Sequence, residues 1–256
     1  MNRLSHTFPH YLFILKALFL LGCNSTLEVE IKRPNILWIT VEDISPNLGC
    51  YGDPLAHTPN LDALASKGFI YKNAIANAPV CAPARNALIT GMYPSSLGTL
   101  HMRSYSKDME SSGRIPEDIK LYPEVLRDAG YYCTNNVKED YNFNLDRSIW
   151  DESSNKAHWK NRPDKKKPFF SIFNLTLTHE SCINNKDKHE LVTRDLPDQL
   201  RTNPENILVP PYYPDNEEIR TLLTRHYDNI AMMDIVVKNL LQELEEAGET
   251  ENTIIF

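Results

Sequence analysis

Cys81 opens the run Cys81-Ala82-Pro83-Ala84-Arg85-Asn86-Ala87-Leu88-Ile89-Thr90-Gly91, in which a cysteine stands two residues before a proline and four before an arginine. If the residues from Pro83 to Met92 form a helix, Cys81 lies at its N-terminus, where unpaired N–H groups and the macrodipole favour a bound anion. Arg85, one turn on, can return its guanidinium to the same place and hold an anion or a side-chain oxyanion in a fork. Such a location suits an attacking group. The alternative for Cys81 taken alone is a small apolar thiol at a helix start. Two further polar groups sit where strands should end: Glu42-Asp43 after the apolar run Asn35 to Val41, and Thr178-His179-Glu180 after Phe169 to Leu175. Open α/β sheets place their ligand sites at the carboxyl ends of strands.

The Cys-x-Pro-x-Arg spacing, with Leu88, Thr90 and Gly91 at later offsets, resembles the signature of the sulfatases of type I, the formylglycine-dependent class. The likeness runs from Pro34 to Phe256. Through Pro54 to Asp62, the signature and His101-Met102-Arg103-Ser104, it resembles the sulfamidase branch related to heparan N-sulfatase. The resemblance implies an alkaline-phosphatase-like α/β sandwich with a central mixed, mostly parallel sheet. It implies a hydrolase that releases sulfate from a sulfated sugar, as an ester or an N-sulfo group. Sulfur in a sulfate ester is crowded and poorly electrophilic, so the reaction needs positive charge on the sulfate oxygens and a strong oxygen nucleophile. In sulfatases a maturation enzyme oxidises the signature cysteine, here Cys81, to formylglycine (3-oxoalanine). Its hydrate attacks sulfur and is restored when sulfate leaves, which is covalent catalysis with a self-regenerating nucleophile. An unmodified thiol would leave a thiosulfate with no such release.

The resemblance also assigns the other groups. Glu42 and Asp43, with residue 81, correspond to metal ligands; hard oxygen donors suit Ca2+ or Mg2+, which would neutralise sulfate charge as a Lewis acid. The family usually reads Asp-Asp at this strand end, and here the first residue is Glu. Lys138 matches the lysine of a Lys-x-His motif that contacts a sulfate oxygen, while Asp140 stands in the place of the histidine. His179 matches a histidine that protonates the leaving group or binds sulfate, and His101 is the candidate substrate contact.

These residues need a scaffold that brings positions 42, 81, 138 and 179 together. The runs Asn35 to Val41 and Phe169 to Leu175 have the length and continuity of strands buried on both faces. Thr58-Pro59-Asn60 through Lys67 reads as a helix with Leu61, Leu64 and Ala65 on one face, stopped by Gly68. Tyr122-Pro123-Glu124 starts another, closed by Gly130, and Tyr131 to Thr134 reads as the next strand. From Asn216 to Ala247, Leu223, Tyr227, Ile230, Met233, Val237, Leu240 and Leu244 recur at three- and four-residue steps, the pattern of a long amphipathic helix ending at Gly248. Thr253 to Phe256 starts a further strand. The polar, proline-rich stretch from Cys182 to Pro214 reads as loop.

With 256 residues, 41% of them hydrophobic and 24% charged, the chain can bury a sizeable core. A net charge of -7 argues against nucleic acid as a partner, since phosphate neutralisation needs clustered Lys and Arg. The apolar stretch Tyr11 to Leu21 is too short to span a bilayer and fits the h-region of an export signal over residues 1–23. Leu20-Leu21-Gly22-Cys23 resembles a bacterial lipobox, in which Cys23 carries the lipid. The alternatives are a membrane-anchored periplasmic lipoprotein and simple secretion, with 24–33 as linker. Of the five cysteines, Cys50, Cys133 and Cys182 remain, an odd number and no disulfide framework.

In the sulfatases a second metal pair, Asp followed by Asn or His, comes just after the strand that begins here at Thr253. Residues 34–256 are therefore expected to be the N-terminal part of a catalytic domain whose C-terminal portion is missing. Three functions compete: a sulfatase, a related phosphate-ester hydrolase, and a truncated remnant that at most binds sulfated glycan. Phosphomonoesterases of the same superfamily use an unmodified Ser or Thr and two zinc ions, so the cysteine signature favours the first over the second.

Overall fold

The apolar run Asn35–Val41 forms strand β1, and Phe169–Leu175 forms β4, all seven of whose residues are buried. Strands covered on both faces have no polar side to alternate with, hence the continuous runs. The computed structural model describes residues 33–102, 115–144 and 148–256. The expected export signal, Cys23 and all of the linker but Arg33 lie outside them, as do Arg103 and Ser104. Between β1 and β4 come α1 (Pro59–Ala65), α2 (Cys81–Thr90), α3 (Tyr122–Asp128), β2 (Tyr132–Asn136) and the short β3 (Glu152–Ser153). After β4 follow α4 (Ser181–Asn184), α5 (Lys186–Val192), α6 (Glu217–Glu246) and β5 (Thr253–Ile255).

The strands lie in the order β3-β2-β4-β1-β5. Every pairing is parallel, so among the described strands the sheet is parallel throughout rather than mixed. Thr40 of β1 stands opposite Asn174 of β4, and Asn136 of β2 opposite Phe173. Parallel strands release their chains at one edge. The residues following Val41, Asn136 and Leu175 therefore emerge side by side, and Glu42, Lys138 and His179 meet there although far apart in sequence.

Each face of the sheet is covered. On one, Leu37, Phe169, Phe173 and Leu175 pack with Trp159 and with Ile230, Met233, Val237, Leu240 and Leu244 of α6. On the other, Phe170, Ile172 and Cys133 pack with Ile89, Leu121, Tyr141 and Trp150. The α6 side chains recur at the three- and four-residue spacing expected of its buried stripe, and burying each is worth roughly 1.5–3 kcal/mol.

Helix α1 has no side-chain cap of its own from Thr58. Its first-turn N–H groups are taken instead by Asp234 of α6, 1% exposed, which accepts from Asn60 N (3.1 Å), Asn60 Nδ2 (2.7 Å) and Leu61 N (2.9 Å). This carboxylate does the work of an N-cap across tertiary space and complements the helix dipole. Asp234→Ala should destabilise the fold by about 3 kcal/mol, because charge-assisted bonds are lost together and three donors are stranded. Urea denaturation would check it, with Asp234→Asn, which keeps one acceptor oxygen, expected in between.

The stretch read as loop after Cys182 is a correction. It contains α4 and α5 and two short 3-10 turns, Asp198–Leu200 and Pro204–Asn206. Helix α5 buries only His189, so it presents no apolar stripe to read. His189 Nδ1 lies 2.9 Å from Asn229 Oδ1 of α6, a polar contact that hydrophobic periodicity does not register.

Candidate active site

Helix α2 begins at Cys81 itself, two residues earlier than expected, with Val80 extended before it. Pro83 occupies the first turn, where a missing N–H leaves no intrahelical bond unmade. Gly91 ends the helix in the left-handed region at φ 68°, its N–H bonding Ala87 O, a conformation that costs a glycine little. Buried Asn86 donates to Tyr141 O (2.9 Å) and accepts from Thr99 Oγ1 (2.8 Å), so the helix is tied to the loops on either side of the site.

Arg85 is 7% exposed, and the Nε and Nη2 side of its guanidinium is hydrogen-bonded. Nε donates to Glu139 O (2.8 Å), Nη2 to Lys138 O and to Asn174 Oδ1 (2.7 Å), and Nη1 lies 3.7 Å from Glu42 Oε1. The sequence reading offered it to a bound anion or a side-chain oxyanion. The structure bears on the second: Arg85 turns Nη1 toward the Glu42 carboxylate and bonds the carbonyls of Lys138 and Glu139 and the Asn174 amide oxygen, which makes it a positioning residue. Asn174, buried in β4, receives Arg85 and Thr40 Oγ1 (2.8 Å) on its oxygen and gives its amide to Asn135 Oδ1 (2.8 Å). This network joins β1, β2, β4 and α2 beneath the site.

Lys138 Nζ is bonded to Glu42 Oε2 (2.9 Å) and lies 4.0 Å from Asp140 Oδ2. Asp140, held at φ 48°, accepts from Cys81 Sγ at 3.6 Å. The residue standing where the family has histidine is thus the one that touches the thiol. His179 leaves β4 by a turn, and its Nδ1 accepts from Ser181 N (3.2 Å), which places the proton of the neutral ring on Nε2.

Among the described residues, Glu42, Cys81 and His179 bring potential ligand atoms within 4.8 Å of one another. Asp43, expected beside Glu42, is exposed and turns its Oδ2 to Glu180 N (3.0 Å), outside that cluster. His101 is also exposed and outside it; its carbonyl accepts from Asn142 Nδ2 (2.6 Å). With Nδ1 accepting from the backbone and Nε2 carrying the proton, neutral His179 is a hydrogen-bond donor to a bound group rather than a metal ligand. The donor set fits a hard divalent cation in kind, through the Glu42 carboxylate and an oxygen replacing the sulfur of residue 81. It falls short of the six to eight oxygens that Ca2+ takes.

Cys133 has a different setting. It is fully buried, and desolvation, aided by Asp151, pushes its thiol up to about 12. At pH 8 the folded protein should react with iodoacetamide at Cys81 and leave Cys133 untouched, as peptide mass mapping would show.

Asn174 and Asp140 escaped the sequence reading. Asn174 did leave a signal, a polar amide inside an otherwise apolar strand, where burial demands partners. Asp140 was visible only as a departure from a motif.

The sulfatase family model matches residues 34–166. An ulvan-active sulfatase of Formosa agariphila is 39% identical over 261 residues, covering 88% of this chain and 43% of that protein. Human N-acetylgalactosamine-6-sulfatase is 40% identical over 105 residues, covering 39% of this chain and 20% of its own. The solved structure of a 2-O GAG sulfatase superposes with a TM-score of 0.62 at 19% identity over 87% of this chain and 57% of that one, which bears on fold alone. The chain thus spans less than two thirds of each. The parallel sheet, with its strand ends converging on Cys81, is the alkaline-phosphatase-like α/β fold, and the chain belongs to the sulfatase family.

Proposed function

We propose that the matured protein hydrolyses sulfate esters of a polysaccharide, with residue 81 as nucleophile. The observation that carries this is the setting of Cys81: first residue of a helix, with Asp140 on its sulfur, and with Lys138, Glu42 and His179 around it. The 6-sulfatase and 2-O sulfatase names of the similar proteins support an ester over the N-sulfo group that the sulfamidase-like resemblance implies. Similarity to an ulvan-active sulfatase supports a polymeric substrate.

In this reading Lys138 Nζ holds a sulfate oxygen, and the N-terminus of α2 adds backbone N–H groups and a favourable dipole. His179 directs its Nε2–H at the departing sugar oxygen as a hydrogen-bond donor, and transfers a proton there only as the imidazolium, with Nδ1–H turned to Ser181 Oγ, 3.0 Å away. Asp140 accepts a hydrogen bond from the side chain of residue 81 and fixes its direction. Arg85 holds the loop that carries Lys138 and Asp140. Residue 81, once converted to formylglycine, would supply an oxygen nucleophile that is restored after each turnover. Calcium, or magnesium in its place, would be held by Glu42 and residue 81, with Asp43 joining them once its carboxylate leaves Glu180 N, and would neutralise sulfate charge.

Pro83 and Arg85 are buried, so a maturation enzyme that reads Cys-x-Pro-x-Arg must meet this segment before it folds. The run Tyr11 to Leu21 ahead of Cys23 supports export, with Cys23 as the lipid attachment point.

The test is mass spectrometry of the Cys81 peptide from the native host, with ion chromatography of sulfate released from ulvan and chondroitin sulfate. Conversion of the thiol together with sulfate release is expected; an unmodified thiol throughout would sink the proposal.

A further inference from the structure

The face of the molecule that carries Cys81 has a second feature. Helix α6 has 30 residues and is about 45 Å long, whereas a seven-residue strand such as β1 spans about 23 Å. Its C-terminal end leads into β5, which pairs with the start of β1, Asn35 opposite Thr253. Its N-terminal end therefore projects past the carboxyl edge of the sheet, on the side of Glu42 and His179. No residue from Glu217 to Tyr227 is buried, in contrast to the stretch from Asp228 onward.

Beside this projecting end lies an open groove of 530 Å³ lined by Asn184, Asn216, Glu217, Glu218, Thr221 and Arg225. Asn184 ends α4, the short helix that follows His179, and Arg225 Nη1 bonds Ile183 O (3.0 Å), which fixes the groove wall to the site. Three residues before Asn216 in the chain is an aromatic pair. Tyr212 is 77% exposed and Tyr213 49%, with ring centroids 4.9 Å apart at 56°.

Exposed aromatic rings on a mobile loop would mean little; this loop is braced. Pro210, Pro211 and Pro214 limit its backbone, and Tyr213 N bonds Pro210 O (2.9 Å) across the turn. Asp215 grips Arg220 by two bonds of 2.6 and 2.8 Å, and Arg220 Nη1 donates to Pro204 O and Ile207 O. The backbone that carries the rings is held in place before anything binds, so little main-chain freedom remains to be lost on binding.

We propose that Tyr212 and Tyr213, with the Asn184–Asn216–Thr221 groove, form a subsite for a pyranose ring of the polysaccharide other than the one that carries the reacting sulfate. The C–H face of a sugar suits an aromatic platform, and its hydroxyls suit amide, hydroxyl and carboxylate partners. With Glu217 and Glu218 set against Arg225 alone, the lining is net negative and disfavours a sulfate group, so binding at this subsite does not depend on sulfation. This inference rests on the polysaccharide reading of the substrate, but its test is independent of the chemistry at Cys81.

The experiment is affinity gel electrophoresis of the full chain in gels containing ulvan or chondroitin sulfate, each also in chemically desulfated form. At least one desulfated polymer is expected to retard the wild-type protein. The double variant Tyr212→Ala/Tyr213→Ala should bind that polymer about tenfold more weakly, while Tyr212→Phe/Tyr213→Phe, which keeps the rings, stays within about twofold of wild type. Retardation by the sulfated polymers alone, or by none, overturns the subsite, as does undiminished binding by the Ala double variant. A failure of the hydrolase reading would show separately, as an unconverted Cys81 peptide.

Discussion

Arg85→Ala is expected to lower the stability of the protein by about 3–5 kcal/mol, the cost of removing one partner from a buried charged network. Total stabilities of domains are only about 5–15 kcal/mol, so the variant should unfold at a much lower urea concentration and populate unfolded chain at 37 °C. The loss is large because Arg85 is not merely paired. Its removal strands the carbonyls of Lys138 and Glu139, takes a donor from Asn174 Oδ1, and leaves Glu42, 8% exposed, with Lys138 as its remaining cation. Arg85→Lys separates charge from geometry. An ammonium is a point charge without a planar fork, and cannot span two successive backbone carbonyls and an amide oxygen from one place. Lysine is therefore expected to recover less than half of the loss. If Arg85→Lys matches wild type in the same denaturation experiment, the charge alone suffices and the bracing role assigned to the fork is wrong.

Much of the scaffold was legible because burial leaves a period in the sequence. The strands β1 and β4 read as apolar runs, and α6 as a stripe from Leu223 to Leu244 within a helix from Asn216 to Ala247, each bound within a residue of the observed Glu217–Glu246. What did not read is what polar contacts build. Helix α5 is held through His189 and Asn229, and the start of α1 by Asp234 from a neighbouring helix far along the chain, bonds that no local pattern announces. In the site, motif resemblance found Glu42, Cys81, Lys138 and His179, and the parallel strand order explains why they meet. It could not say which way each side chain turns. Asp43, adjacent to Glu42, points to Glu180 N, because successive residues leaving a strand face opposite ways and Asp43 adopts φ 49°. Arg85 reads as an anion fork from its spacing, yet its Nε and Nη2 donors go to the carbonyls of Lys138 and Glu139 and to Asn174 Oδ1, leaving Nη1 toward Glu42. Asp140 is the instructive case: counted as a mismatch to a motif, it is the residue in contact with the thiol.

Cys81→Ala should separate chemistry from folding where Arg85→Ala affects both. Residue 81 is only half-buried, and its sulfur makes one long contact, 3.6 Å to Asp140. Alanine is the best helix former and places no new atom in the site. The expected stability change is below about 1 kcal/mol, the scale of one weak neutral-donor hydrogen bond offset by propensity. Sulfate release by the matured protein, in contrast, should fall by about 10⁴-fold or more, as when the nucleophile is removed from other covalent enzymes and binding alone remains. The surrounding groups cannot replace it: Lys138 and Arg85 carry no lone pair to offer when charged, and Glu42 is tied to both of them. Asp140 loses its thiol contact but keeps Lys138 within 4.0 Å, so the loop should hold its place and binding of polysaccharide should persist. Measured side by side, unchanged denaturation, unchanged retardation in polysaccharide gels and lost sulfate release would together locate the reaction at residue 81. Release by Cys81→Ala within tenfold of wild type would place the nucleophile elsewhere, and Asp140, the nearest carboxylate, would be the next residue to replace.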